Sequence, residues 1–239
     1  MAETLLEIDG LTKRFGGFTA LNGVSIEVKA GERFGLIGPN GSGKTTLINC
    51  VSGALPVDGG RIVFDGQEIT GLPAHRRTRL GIVRSFQIPK PFGSMTVREN
   101  LEIPLEYAAH ERSDAADADA MEILRAIGLA PKAHLRPGGL TQIEMRKLEL
   151  ARAIAARPKL LISDEAMAGL SHAEVDDILA ILFRLSERGI TIIMIEHIMR
   201  AVMRFSERIV VLDAGERIAE GTPEQIVRNA AVEKAYLGE

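Results

Sequence analysis

The strongest chemical signal in this sequence is a glycine-rich stretch that runs from residue 38 to residue 45 and reads GPNGSGKT. The pattern G-x-x-x-x-G-K-[ST] is typical of loops whose backbone N–H groups surround the phosphate oxygens of a nucleotide. The stretch follows a buried-strand pattern at 34–37 and precedes a helical pattern from Lys44 to about Ser52, for which Gly53 is the predicted stop. The N-terminus of that helix would add its positive dipole end to the loop. A chance glycine-rich turn is the alternative, and this context argues against it.

Two side chains at the end of this loop have separate tasks in nucleotide chemistry. The Lys44 ammonium could reach the β- and γ-phosphates, and the Thr45 hydroxyl could join the shell of a Mg²⁺ ion. We therefore expect this region to bind ATP and Mg²⁺. The residues that we expect to contact the nucleotide here are Gly38, Pro39, Asn40, Gly41, Ser42, Gly43, Lys44, Thr45 and Thr46.

Two adjacent carboxylates, Asp164 and Glu165, follow an apolar run at 160–162 that predicts a buried strand. Ligands of an open α/β sheet bind at the carboxyl ends of its strands. Asp164 suits the Mg²⁺ shell, and Glu165 suits the base that orients or activates a water molecule. Acidic residues after a strand are also common in solvated loops, so the catalytic interpretation depends on the phosphate-binding pattern upstream.

Two further side chains are candidates for the same site. His197 ends the next apolar run, at 190–195, where its ring could hydrogen-bond the γ-phosphate and the attacking water, although a loop histidine without a role is the alternative. Phe15 precedes the phosphate-binding pattern and could stack on adenine. A place in the core is the competing interpretation for Phe15.

The elements that must position these residues follow from hydrophobic periodicity. Apolar, partly alternating runs predict strands, and Ala- and Leu-rich segments with helical spacing fill much of the region between about 89 and 156. We expect a mostly parallel sheet with covering helices, interrupted by a helical subdomain. A hairpin is predicted around Asp213–Glu216, and Pro223 at a first helical position predicts one last helix that starts at Thr222–Glu224. The predicted strands are 5–8, 24–28, 34–37, 61–64, 81–83, 160–162, 190–195, 208–212 and 217–219, and the predicted helices are 44–52, 115–129, 143–156 and 172–188.

Composition limits the class of protein. The chain has 239 residues and a formal net charge of -3, which argues against a bulk electrostatic affinity for nucleic acid. Its single cysteine, Cys50, allows no disulfide within the chain, so we expect a reducing, cytoplasmic setting. No apolar run approaches the roughly 20 residues that cross a bilayer, and the acidic start does not resemble a signal peptide. Any membrane role would therefore come through a partner.

The order of these motifs resembles that of the ATP-binding cassette (ABC) ATPases over nearly the whole chain. It runs from the phosphate-binding pattern through Ser85-Phe86-Gln87 and a helix with Glu149-Leu150-Ala151-Arg152-Ala153 to Ser163-Asp164-Glu165 and Glu196-His197. The resemblance implies that Gln87 contacts Mg²⁺ and water and senses the membrane subunits, that Phe15 stacks on adenine and that His197 is the switch histidine. It also implies an α/β fold with a P-loop NTPase core, an N-terminal antiparallel β region and an inserted helical subdomain. We expect one domain over 1–239, with the core at about 1–88 and 157–239 and the subdomain at about 89–156.

Three segments narrow the resemblance to the ATPase subunits of branched-chain amino acid importers. They read Gln87-Ile88-Pro89-Lys90-Pro91-Phe92, Met95-Thr96-Val97-Arg98-Glu99-Asn100 and Ala235-Tyr236-Leu237-Gly238-Glu239. Related subunits serve urea and amide uptake, so a similar small polar solute remains an alternative. The implied partners are membrane-spanning permease subunits, a second ATPase subunit and, indirectly, a solute-binding protein, with the chain peripheral on the inner face of the membrane.

The sequence departs from the family pattern at the signature. Where L-S-G-G-Q is usual, this chain has Leu140-Thr141-Gln142-Ile143-Glu144, without either glycine. Thr141 and Glu144 form a capping-box pattern, so the helix that follows should start well. The loop after Glu165 has Ala166 where proline is usual and Ser171 where aspartate is usual. We therefore expect an intact hydrolytic half-site, a poor signature and a heterodimer with a different ATPase subunit, although a homodimer stays open.

Two other classes of function are alternatives. A soluble ABC ATPase of translation or DNA repair usually carries two cassettes or long coiled-coil insertions, and neither fits in 239 residues. A regulatory module that binds ATP without hydrolysing it would fit the lost signature glycines but not the presence of Lys44, Glu165 and His197.

Overall fold

The computed structural model describes residues 3–85, 89–107 and 113–237, and in them two β-sheets pack against each other around helix α1 (Lys44–Ser52). The first sheet is antiparallel, in the order β2-β1-β4-β5, and the second has the order β10-β9-β3-β8-β7-β6. In the second sheet only the pairing of β10 with β9 is antiparallel among the described strands. The strands are β1 (Thr4–Phe15), β2 (Phe18–Lys29), β3 (Arg33–Ile37), β4 (Gly59–Phe64), β5 (Gln67–Glu68), β6 (Ile82–Ser85), β7 (Leu160–Asp164), β8 (Thr191–Ile195), β9 (Arg208–Asp213) and β10 (Glu216–Gly221).

The core lies on both faces of the second sheet. Successive side chains of a strand point to opposite faces, and β7 places Leu160 and Ile162 with the antiparallel sheet and α1 but Leu161 with the helices on the other side. Such a sheet needs apolar residues at consecutive positions, which explains the continuous runs in the sequence. The other helices are α2 (Ala74–Leu80), α3 (Glu99–Tyr107), α4 (Ser113–Ala126), α5 (Gln142–Ala155), α6 (His172–Glu187), α7 (Met199–Phe205), α8 (Pro223–Val227) and α9 (Ala230–Leu237).

Helix α1 is fixed at its C-terminal end by a buried arginine. Gly53, the predicted stop, caps it in the left-handed conformation with φ 79°. The Arg77 guanidinium of α2 donates to the carbonyls of Cys50 at 2.6 Å and Val51 at 2.9 Å. The last carbonyls of a helix lack their usual intrahelical partners, and here the Gly53 N–H also donates to the Cys50 carbonyl, at 3.3 Å, so Arg77 together with this cap holds in place the helix that starts at the phosphate loop.

The predicted α/β fold with an antiparallel N-terminal region is confirmed, and α3, α4 and α5 lie between β6 and β7. The boundaries of a helical subdomain at 89–156 stay a prediction. The helix predicted to start at Thr222–Glu224 is confirmed as α8, which Thr222 caps and Pro223 begins, but it is not the last helix, because α8 ends at Val227 and α9 begins at Ala230. The physical reason is Asn229, whose side-chain oxygen accepts from the N–H groups of Ala231 at 2.9 Å and Val232 at 3.3 Å and so starts a new helix.

Candidate nucleotide-binding site

The strand order brings the candidate residues to one edge of the sheet. β8 lies between β3 and β7, and all three run parallel. Their carboxyl ends therefore lie side by side, which places the phosphate loop after β3, His197 after β8 and Glu165 after β7 at one edge. The site is built from segments far apart in sequence because parallel neighbours share an edge.

Two glycines of the phosphate loop are required by its geometry. Gly38 has φ 151° and Gly43 has φ 103°, values that L side chains rarely adopt. A Cβ atom on Gly38 would lie 2.1 Å from the Leu212 carbonyl oxygen, and one on Gly43 would lie 2.7 Å from the Ala20 carbonyl oxygen. The loop is thus pressed against the β9–β10 hairpin and β2, and its glycines allow this approach.

The Lys44 ammonium is held across the loop. Its Nζ atom donates to the carbonyl oxygens of Gly38 at 2.8 Å and Pro39 at 3.0 Å and to the Ser42 hydroxyl at 3.4 Å. Burial lowers the pKa of Lys44, and the nearby Glu165 and Asp164 carboxylates oppose that shift. Lys44 is therefore a partly desolvated cation beside two carboxylates, which suits it to bind phosphate oxygens.

Glu165 and His197 form a direct pair. The His197 Nε2 atom lies 2.7 Å from Glu165 Oε1, and the Glu165 N–H donates to the Ile195 carbonyl at 2.9 Å. Glu165 has φ 47°, a left-handed conformation that is uncommon for a residue with a side chain. The turn after β7 thus sends the Glu165 carboxylate across to the end of β8, where the histidine fixes its orientation.

Asp164 has a different set of partners. Its Oδ2 atom accepts from Arg84 Nη2 at 2.5 Å, and Arg84 Nη1 donates to Asn49 Oδ1 of α1 at 2.6 Å. Hard oxygen donors such as Asp164 and Thr45 fit Mg²⁺, which is commonly held by one or two protein oxygens together with phosphates and water. In the described part of the chain no group of three or more His, Cys, Asp or Glu could hold a metal.

A buried acid that sequence reasoning missed lies behind the pair. Glu196 is 2% exposed, and its Oε1 atom accepts from the Met167 N–H at 2.8 Å. Burial raises the pKa of Glu196 to about 7, and the Glu165 carboxylate acts in the same direction. Its place directly after the wholly buried strand β8 was the available signal.

Two aromatic residues border the loop. Phe15 and Phe18 pair across the β1–β2 hairpin and are 48% and 63% exposed, so neither belongs to the core. The Lys13 Nζ atom lies 5.5 Å from the Phe15 ring centroid. Sequence reasoning proposed Phe15 alone, and the hairpin register adds Phe18 on the same side of the site.

A cleft of about 270 Å³ collects most of the expected residues. Gly38 and Pro39 lie behind it and bind Lys44, while Asp164 faces Arg84. Gln87 lies outside the described residues. The cleft is lined by Phe15, Phe18, Ala20, Asn40, Gly41, Ser42, Gly43, Lys44, Thr45, Thr46, Glu165 and His197.

The free N–H groups at the start of α5 are capped by side chains of the same segment. The Thr141 hydroxyl accepts from the Glu144 N–H at 3.4 Å, and the Glu144 carboxylate accepts from the Thr141 N–H at 2.8 Å, so the predicted capping box is confirmed. Lys132 Nζ lies 2.7 Å from Glu144. Ile143 is partly buried and packs against the helical side of the core.

The loop after Glu165 is tied to α5. The Arg146 guanidinium donates to the Ala168 carbonyl at 3.2 Å. Ser171 forms a second capping box with Glu174 at the start of α6. In place of the usual aspartate, Ser171 therefore fixes the end of this loop through a helix cap.

Family models match two parts of the sequence. The model described as ABC transporter matches residues 21–168, and the model described as branched-chain amino acid ATP-binding cassette transporter matches residues 216–239.

None of the helices in the described ranges is both long and apolar enough to cross a membrane.

Curated relatives match from end to end. The high-affinity branched-chain amino acid transport ATP-binding protein BraF of Pseudomonas aeruginosa is 42% identical, with all of both chains covered. The corresponding LivG protein of Escherichia coli is 39% identical over the full length of both.

Solved structures show the same fold. An ATP-binding cassette of an ABC transporter in its ADP conformation has a TM-score of 0.90 at 34% identity, with 99% of each chain covered. A dimeric bacterial ABC transporter cassette has a TM-score of 0.82 at 26% identity, with 92% of this chain and 99% of that one covered.

Proposed function

This chain belongs to the ABC transporter family, and from that premise we propose that its 38–46 cleft binds and hydrolyses ATP with Mg²⁺ to drive an importer of branched-chain amino acids. The observation that carries the proposal is the convergence of Lys44, Glu165 and His197 on one cleft, with Glu165 and His197 2.7 Å apart. A module that only binds nucleotide would not need that pair.

Each residue has a separate task in this proposal. Lys44 and the loop N–H groups bind phosphate oxygens, and Phe15 supports adenine. Glu165 accepts the proton of the attacking water or orients it, and His197 holds the Glu165 carboxylate towards the cleft. Thr45, Asp164 and Gln87 are the proposed oxygen ligands of Mg²⁺, which when bound supplies positive charge beside the phosphates.

Variants at Lys44 and Glu165 test this assignment. Lys44→Ala should weaken ATP binding, because a charge-assisted contact to phosphate is lost. Glu165→Gln should retain ATP binding but lower hydrolysis by roughly 10²-fold or more, as removal of a general base does. Nucleotide titration and phosphate release would be measured with the partner subunits present, and unchanged hydrolysis in Glu165→Gln would overturn the catalytic role.

The proposed contact with the membrane partners is a groove between α2, α3 and α5, here called the docking groove. It has a volume of about 380 Å³ and includes Phe92, Pro104, Tyr107 and Arg152 in its lining. Phe92 is 41% and Tyr107 69% exposed, which is unusual for large apolar side chains unless a partner covers them. The Arg152 guanidinium lies 5.0 Å from the Phe92 ring centroid and donates to the Lys90 carbonyl at 3.0 Å, so the 89–95 segment is held to α5.

We propose that a segment of a membrane-spanning permease subunit occupies this groove, which would place the chain on the inner face of the membrane. Phe92→Asp should abolish co-purification with the permease and leave ATP binding intact. Val227→Asp is the matched control, because Val227 is 68% exposed but lies in α8, away from the groove. Retained assembly and transport in Phe92→Asp would contradict this docking surface.

The second ATPase subunit is proposed to be a different chain. In a cassette dimer each nucleotide lies between one chain's phosphate loop and the other chain's signature, and here the phosphate loop is complete while Leu140–Glu144 lacks both glycines. A partner with an intact signature would complete the site next to Lys44 and Glu165. A solute-binding protein would act on the complex from the other side of the membrane, without contact to this chain.

A Glu→Gln exchange made in each subunit in turn tests this asymmetry. The exchange in this chain should remove most ATPase activity, and the exchange in the partner should remove little. Equal losses from the two variants, or robust hydrolysis by this chain alone, would support a symmetric dimer instead.

A further inference from the structure

Arg84 links two regions that the proposed function uses separately. From β6 it binds the Asp164 carboxylate at 2.5 Å and Asn49 of α1 at 2.6 Å, and it also lines the docking groove. We propose that Arg84 is a positioning residue that holds Asp164 away from a divalent cation until a permease segment carrying a carboxylate enters the groove. The inference rests on the proposed function, because it concerns the regulation of that same site.

The ion pair is well shielded from water. The side chains of Arg84 and Asp164 are 13% and 8% exposed, so the attraction is screened far less than that of a surface pair. A guanidinium keeps its charge at any physiological pH. The pair is therefore released when another anion attracts Arg84 or another cation attracts Asp164.

The position of Arg84 gives such an anion access to it. The docking groove contains Arg84 and Arg152 but only one carboxylate, Glu149, which already pairs with Arg152 at 2.9 Å. Asp164, the partner of Arg84, is not among the lining residues, so the groove surface presents two guanidinium groups and one carboxylate, which fits a partner segment that is apolar and bears an acidic side chain. Such a segment would compete for the Arg84 guanidinium and leave the Asp164 oxygens to the metal.

The bond to Asn49 extends this link to the nucleotide. Asn49 belongs to α1, the helix that starts at the phosphate loop, so one guanidinium connects the groove, α1 and the end of β7. A lysine has a single ammonium and cannot reproduce this planar, two-sided contact. Replacing Arg84 with lysine therefore distinguishes a positioning role, which needs both contacts, from an effect of positive charge alone.

The first test measures Mn²⁺ affinity of the isolated full-length chain by electron paramagnetic resonance, in the presence of a non-hydrolysable ATP analogue. Arg84→Gln should bind Mn²⁺ about tenfold more tightly than the original chain, because a cation next to the ligand is removed. Arg84→Lys should fall between the two. Arg204→Gln, which breaks an exposed ion pair with Asp176, should leave the affinity unchanged.

The second test compares the isolated chain with the assembled transporter. The original chain should bind Mn²⁺ more tightly after assembly, whereas Arg84→Gln should show the same affinity in both states. Equal affinities of Arg84→Gln and the original chain in isolation would overturn the inference, and so would an assembly effect that persists in Arg84→Gln. Asp164→Asn separates the two proposals, because unchanged Mn²⁺ affinity in that variant would contradict the metal site itself.

Discussion

Two helices of this chain start in opposite ways. α1 begins at Gly43, in a left-handed conformation, with no side-chain cap and no acidic residue in its first turn. α5 begins at Thr141, and both of its capping bonds are made by Thr141 and Glu144. The first N-terminus can therefore offer its N–H groups and positive dipole end to an anion, whereas the second satisfies its own groups and adds a negative charge.

The two helices therefore differ in what is left for a ligand, because α1 leaves its first N–H groups without a side-chain cap, whereas α5 satisfies them within the chain. At α1 the loop glycines remove the side chains that would compete. At α5 the carboxylate of Glu144 occupies the position of an anion, and Lys132 neutralises part of its charge. For the proposed dimer, this is a stronger reason for a poor signature than the bulk of Ile143, which packs partly into the core.

The largest expected effect comes from placing a side chain at the start of α1. Gly43→Ala adds a Cβ atom 2.7 Å from the Ala20 carbonyl at a backbone with φ 103°, so the loop must shift. A shift of about 1 Å can lower a rate on the order of 100-fold, and we expect that loss in ATP hydrolysis. Gly138→Ala, just before α5, meets nothing within 4 Å and should keep full activity. Hydrolysis by Gly43→Ala at the rate of Gly138→Ala would contradict the comparison.

A pH-dependent loss of stability is expected at the nucleotide-binding edge. Burial raises the pKa of Glu196 from the ordinary 4.5 to about 7. The folded protein therefore binds more protons than the unfolded chain between these values, and its stability falls as the pH rises through that window. Glu196→Gln keeps an oxygen acceptor for the Met167 N–H and removes this cost, so its advantage over the original chain should grow by roughly 1–3 kcal/mol between pH 4.5 and pH 7. Denaturant unfolding at a series of pH values measures it, and a constant difference would refute the shift.

A smaller effect is expected from removing the cap of α5. Thr141→Ala loses the side-chain acceptor of the Glu144 N–H and should lower the free energy of unfolding by about 1 kcal/mol. Ser171→Ala removes the equivalent cap of α6 and should cost a similar amount. Thr141→Gly should cost only a few tenths of a kcal/mol relative to Thr. A Thr141→Ala variant as stable as the original chain would show that the capping box does not stabilise the start of α5.

The smallest effect concerns charge at the start of α5. Glu144→Gln keeps a capping side chain but removes its negative charge. The interaction free energy of such a charge with the helix dipole is about 0.3–1 kcal/mol. In the proposed dimer this should raise hydrolysis at the phosphate loop that faces this signature by roughly two- to fivefold. Glu174→Gln, in the capping box of α6, is the control and should change nothing. A fall in activity for Glu144→Gln alone would mean that its carboxylate supports the signature.

Much of the site could be predicted because its signals are local. The phosphate loop, the Gly53 stop and the Thr141 cap each depend on residues a few positions apart, and the structure places them as predicted. The second N-cap at Asn229 was missed although its signal is equally local, because the prediction ended with the helix that Pro223 begins. Phe18 was missed because its relation to Phe15 depends on the register of two strands.

The sequence by itself determined the fold class, the nucleotide-binding motif and the order of the candidate catalytic residues, because strand periodicity and loop glycines act over short stretches of chain. Only the tertiary structure decided which of these residues meet. The Arg84–Asp164 pair joins positions 80 residues apart, and the Glu165–His197 pair joins positions 32 residues apart. The high pKa of Glu196 likewise depends on how completely the surrounding elements exclude water. These properties come from the order of strands in the sheet, which is set by how the chain packs its core rather than by any single segment.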